Sequence, residues 1–179
     1  NNEPFLLKDI RTIKSNEILK LTKNIKPDLI IGGPPCQGFS IMGDKNSSDP
    51  RNELFKSYVS LIKDLKPKCF VLENVKGLAT MYGGQFLEEL ENDFARCGFN
   101  IHFKIINAFN YGVPQLRERV FIVGSRMDKD FDFPTESKNS YGDLKAYKNV
   151  KSAIFDLIGK KNIYPNHIAL NHSETVINR

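Results

Sequence analysis

The stretch Asp28-Leu29-Ile30-Ile31-Gly32-Gly33-Pro34-Pro35-Cys36-Gln37-Gly38 reads as a short apolar strand that stops at a loop of glycines and prolines. A β-branched run of this length, bounded by such a loop, is the pattern of a buried central parallel strand that delivers a loop at its carboxyl end. Two prolines set the backbone ahead of Cys36, and Gln37-Gly38 leave an open approach to it. A cysteine so placed is presented rather than packed, as a thiolate nucleophile must be.

Working outward, Cys69-Phe70-Val71-Leu72 repeats the design as a second buried strand, ending in Glu73-Asn74 before a turn at Gly77. Between the two, Asp49-Pro50 reads as a helix N-cap with proline at the first position. Leu54, Tyr58, Leu61, Ile62 and Leu65 then form one apolar stripe, and Lys66-Pro67 ends the helix. Upstream, Ser15 or Asn16 is expected to cap a helix in which Ile18, Leu21, Thr22 and Ile25 recur, up to Lys26-Pro27. Downstream, residues 85–94 are helical with Phe86, Leu87, Leu90 and Phe94 inward, closed by Cys97-Gly98.

Phe99, Ile101, Phe103 and Ile105 alternate, and Val120-Phe121-Ile122-Val123 is a further strand, so the two are predicted to pair as an antiparallel edge. Residues 129–148 show no periodicity, and residues 150–158 read as one more short helix before an Asn-rich end. Strands alternating with helices predict an α/β fold: a doubly wound, mostly parallel sheet that binds ligands at the carboxyl ends of its strands.

The chain has 179 residues, about one domain's worth, with 40% hydrophobic and 26% charged residues. A formal net charge of +5 is compatible with a polyanionic partner without requiring one. Three cysteines without a CxxC pair indicate neither a disulfide framework nor a zinc site, and no metal is expected. Cys69 and Cys97 read as packing residues. There is no apolar run of the roughly 18–20 residues a membrane span needs, and the polar Asn1-Asn2-Glu3-Pro4 is unlike a signal peptide. A soluble protein of the bacterial cytoplasm, with no membrane partner, is therefore expected.

Gly32-Gly33-Pro34-Pro35-Cys36-Gln37-Gly38-Phe39-Ser40 resembles the nucleophile motif of the cytosine-5 DNA methyltransferases. Glu73-Asn74-Val75 is similar to their second catalytic motif, and Gln115-Leu116-Arg117-Glu118-Arg119, after Tyr111-Gly112-Val113-Pro114, is similar to their glutamine-x-arginine-x-arginine segment. The resemblance implies a Rossmann-like S-adenosylmethionine-dependent methyltransferase fold, here incomplete. Residues 1–126 would be the catalytic core, lacking the family's first glycine-rich motif. Residues 127–179 would lead toward a target-recognition region that is absent.

The reaction so implied is methyl transfer from S-adenosylmethionine to carbon 5 of cytosine in double-stranded DNA, in a restriction-modification setting. Cytosine is a poor electrophile, so the Cys36 thiolate adds to carbon 6 and makes carbon 5 nucleophilic. Glu73 in its protonated form and Arg119 would relieve charge on nitrogen 3 and the carbonyl oxygen, with Arg117 in support. By the same resemblance Asp9, Ile10, Pro35 and Leu54 contact the cofactor. Gln37, Gly38, Ser40, Lys45, Arg51, Asn74 and Gln115 contact DNA or the flipped base, since an intrahelical cytosine cannot meet a thiolate. A branch of the family acts on transfer RNA, which leaves an RNA substrate as the enzymatic alternative. The others are a non-catalytic DNA-binding relative and an inactive fragment, or one half of a split enzyme that needs a complementing chain.

Overall fold

The computed structural model describes residues 5–35, 52–136 and 149–160. The expected N-cap at Asp49-Pro50, with Cys36, Gln37, Gly38, Ser40, Lys45 and Arg51, lies outside them.

Helix α1 spans Ser15–Leu21, strand β1 Leu29–Gly32, helix α2 Asn52–Leu65 and strand β2 Cys69–Val75. A short α3, Gly77–Thr80, leads into α4, Gln85–Ala95; strands β3, Asn100–Asn107, and β4, Glu118–Ser125, follow. The last described helix is α5, Val150–Ile154, opened by a capping box in which Asn149 and Ser152 satisfy each other's backbone amides.

The four strands form one sheet in the order β1-β2-β4-β3. β1 and β2 are parallel, with Leu29 opposite Cys69 and Gly32 opposite Leu72. β4 is antiparallel to both β2 and β3, so β3 points the same way as β1 and β2. The predicted antiparallel edge is the β3–β4 pair, and its reversed strand lies on the inner side, against β2.

The core forms on the sheet face carrying Phe70, Leu72, Val120 and Ile122, against Tyr58 and Ile62 of α2 and Leu87, Leu90 and Phe94 of α4. Phe70, Phe94 and Phe99 pack as an aromatic trio with centroids 4.4, 5.2 and 5.9 Å apart. Such ring pairs add to the area they bury. Of the stripe predicted on α2, Tyr58, Ile62 and Leu65 are buried, joined by Phe55 and Val59, while Leu54 and Leu61 are half-buried.

Two local expectations are corrected. α1 begins at Ser15 itself after a Lys14 cap without a side-chain bond, so neither Ser15 nor Asn16 is the N-cap. It also stops at Leu21, because the Thr22 hydroxyl donates to the Ile18 and Leu19 carbonyls and Lys23 and Asn24 adopt positive φ. β1, read as buried and central, is at the edge of the described sheet, with Leu29 and Ile31 exposed. Among the described residues no strand pairs with its outer side.

One contact packs the end of β1 against α2. The buried Tyr58 hydroxyl donates to the Val71 carbonyl at 2.9 Å. Its ring lies so close to Gly32 that a Cβ there would fall 2.3 Å from Cε2. Burial also pushes the phenol's pKa well above its ordinary value, so it remains a donor. Gly32→Ala forces this anchored ring aside and is expected to destabilise the intact protein by about 1–3 kcal/mol in urea unfolding, as overpacking does.

Candidate active site at the strand ends

The carboxyl ends of β1, β2 and β3 and the amino end of β4 meet at one end of the sheet. β1 leads there into Gly33-Pro34-Pro35, with Pro34 buried and Pro35 exposed. β2 extends through Glu73-Asn74-Val75, so these residues complete the strand instead of following it.

Alternation along β2 sends Glu73 and Asn74 to opposite faces. Asn74 is only 5% exposed. Its Nδ2 donates to the Pro34 carbonyl at 3.0 Å, and its Oδ1 accepts the Val75 N–H at 2.9 Å. So engaged, Asn74 ties the end of β2 to the loop leaving β1.

Glu73, half-buried on the other face, pairs through Oε1 with Nε of Arg119 at 3.0 Å. In the β2–β4 register Val75 faces Arg119, which makes Glu73 and Arg119 diagonal neighbours on one face, within reach of long side chains. Arg119 also donates from Nη1 to the Glu118 carbonyl at 2.8 Å, and Lys76 pairs with the Glu118 carboxylate at 2.9 Å. Gly33 makes room for the pair: a Cβ there would come within 3.0 Å of Glu73 Oε2.

The remaining expected residues are dispersed. Arg117 and Gln115 are exposed, and their described bonds run through the backbone, Arg117 N–H to Asn107 Oδ1 and Gln115 N–H to the Val113 carbonyl. Leu54 is half-buried on α2, and Ile10 packs against the core. Asp9 caps the 3-10 turn Ile10–Thr12, accepting the Arg11 N–H at 2.9 Å while its carboxylate also pairs with the Arg11 guanidinium. That hydrogen-bonded guanidinium, with the backbone amide, lowers the Asp9 pKa to about 2. Cys69 and Cys97 are half-buried. Asn107, absent from the sequence reading, joins β3 to the loop before β4. No periodicity announces it, although an Asn before a tight turn is a recognisable cap.

The sequence profile of the C-5 cytosine-specific DNA methylases matches residues 1–179. The Type II methyltransferase M1.HphI of Haemophilus parahaemolyticus is 36% identical over 180 residues, covering 97% of this chain and 47% of the relative. The Type II methyltransferase M.AquIA of Picosynechococcus sp. is 35% identical over 197 residues, covering 98% of this chain and 79% of the relative. The chain thus spans about half the length of the former and most of the latter. Among solved structures, a protein encoded within an E. coli prophage shares 31% identity at a TM-score of 0.55, over 66% of this chain and 32% of that one.

A sheet of this topology, with ligand-facing residues gathered at its strand ends, defines a Rossmann-like α/β fold. More particularly, the chain belongs to the C-5 cytosine-specific DNA methylase family.

Two outcomes check the local geometry. Asn74→Leu leaves the Pro34 carbonyl and Val75 N–H without their side-chain partners, and is expected to destabilise the intact protein by about 1–3 kcal/mol in urea unfolding. Because its pKa is depressed, Asp9 contributes to the turn above the ordinary carboxylate range, a contribution lost as pH falls through about 2. Arg11→Ala is expected to return Asp9 toward ordinary titration, followed by its carboxyl NMR shift against pH.

Proposed function

We propose that the protein containing this chain methylates carbon 5 of cytosine in double-stranded DNA, within a bacterial restriction-modification system, through a covalent adduct on Cys36. The observation that carries this reading is the Glu73–Arg119 pair beside the Gly33-Pro34-Pro35 loop, immediately ahead of Cys36 in the sequence. The relatives named Type II methyltransferases support the substrate class.

In this reading the Cys36 sulfur bonds to carbon 6 of an extruded cytosine, and the ring's electrons shift toward nitrogen 3 and the carbonyl oxygen. Arg119, ion-paired with Glu73, balances that charge, and Glu73 in its protonated form donates to nitrogen 3. Arg117, exposed nearby in the chain, assists from the loop. Once carbon 5 carries the methyl group, removal of its remaining proton lets the thiolate depart; water serves as the base for this step.

S-adenosylmethionine, when bound, supplies the methyl group. The described residues fit it in part. The exposed Pro35 offers an apolar ring at the strand end, and Leu54 a half-buried aliphatic contact. Asp9 would have to share its carboxylate with Arg11, and Ile10 is turned toward the core. In this reading Gln37, Gly38, Ser40, Lys45 and Arg51 contact DNA, with Gln115 beside them. Phosphate contacts by Lys45 and Arg51 make binding weaken with added salt.

The intact protein is expected to trap duplex DNA carrying 5-fluorocytosine as a covalent adduct, and Cys36→Ser to abolish it; an adduct surviving that change overturns the assignment. Glu73→Gln should slow methyl transfer by at least about 100-fold while changing DNA affinity little, the range of general acid–base catalysis. Bisulfite sequencing of DNA from cells expressing the intact gene reads substrate and sequence context together. Unmethylated DNA beside modified transfer RNA would reassign the substrate to RNA.

A further inference from the structure

Strand β3 ends in Asn107, whose Oδ1 accepts two backbone amides from opposite ends of the following loop: Phe109 N–H at 3.1 Å and Arg117 N–H at 3.2 Å. A carboxamide oxygen has two acceptor positions, and both are taken. The Ala108 N–H donates to the Arg117 carbonyl at 2.9 Å, so both backbone polar groups of Arg117 are held at the neck of the loop. Inside, Val113 N–H reaches back to the Ala108 carbonyl at 3.2 Å, and Gln115 N–H bonds Val113 at 2.7 Å. The loop is therefore folded on itself, and Asn107 is the side chain that closes its neck.

The next step of the ladder pairs Asn107 with Glu118, and the one after pairs Ile106 with Arg119. Strand ends fray where few bonds hold them. Here the strand end next to that neck carries Arg119, whose guanidinium reaches Glu73. A looser neck would blur both the path of residues 115–117 and the angle at which Arg119 leaves the sheet.

We propose that Asn107 is a positioning residue: its carboxamide oxygen, by holding the Arg117 and Phe109 amides, sets the geometry in which Gln115, Arg117 and Arg119 are offered to the reacting base. This rests on the reading of Glu73 and Arg119 as the base-contacting pair. The requirement is for an oxygen acceptor at that reach, which Asp supplies and Ala does not.

The test compares wild type, Asn107→Ala and Asn107→Asp in the intact protein, by amide hydrogen exchange at Phe109 and Arg117, duplex affinity and single-turnover methyl transfer. Asn107→Ala is expected to speed exchange at both amides and to slow the methyl-transfer step by about tenfold to a hundredfold, the scale of a misplacement near 1 Å, while duplex affinity changes by less than about threefold. Asn107→Asp is expected to restore slow exchange and most of the rate. An Asn107→Ala protein with unchanged rate overturns the proposal. So does an Asp variant that restores exchange protection but stays as slow as the Ala variant. A wild type that transfers no methyl group would sink the functional reading instead, and the exchange comparison would still decide whether Asn107 holds the neck.

Discussion

The antiparallel register between β2 and β4 is the constraint on which the site depends. With Val75 opposite Arg119, Glu73 and Arg119 fall on one face and close into an ion pair. A slip of one residue would send every β4 side chain to the other face, Arg119 with them. The reversal of β4 matters equally, since it brings that strand's amino end to the carboxyl ends of β1 and β2. Residues distant in the chain converge there because the hydrophobic alternation of Val120 and Ile122, buried with Phe70 and Leu72, locks the pairing.

The pleat then divides neighbouring residues between two tasks. Asn74, turned inward, holds the Pro34 carbonyl, and Glu73, turned outward, meets Arg119. Their energetics differ. A buried carboxamide is costly to leave unpaired, so its bonds constrain the loop firmly. The Glu73–Arg119 pair is partly open to solvent and contributes little to stability, so its consequence is orientation.

Two carboxamides organise the same end of the sheet: Asn74 ties β2 to the loop after β1, and Asn107 ties β3 to the loop before β4. Each bonds backbone rather than another side chain, which fixes where a loop departs without limiting what the loop carries. Between them stand the glutamate and the arginine. Gly33 keeps the approach clear, since a methyl group there would press on the carboxylate.

Much of this was legible in the sequence, because periodicity reports which face a residue buries. Most of the stripe on α2, the inward residues of α4 and the β3–β4 hairpin follow from it. The motifs around Glu73 and Arg119 lie at strand ends that the fold brings together. Spacing alone could not show that Thr22 and a left-handed Lys23-Asn24 pair stop α1 early, since that competition is settled by local hydrogen bonds. Nor could it show that β1 stands at the edge of the described sheet, because strand order depends on which neighbours pair. Nor did spacing show the backbone bonds that Asn74 and Asn107 make. What a carboxamide bonds is decided by which backbone groups the fold brings within 3 Å or so, and only the tertiary structure sets those distances.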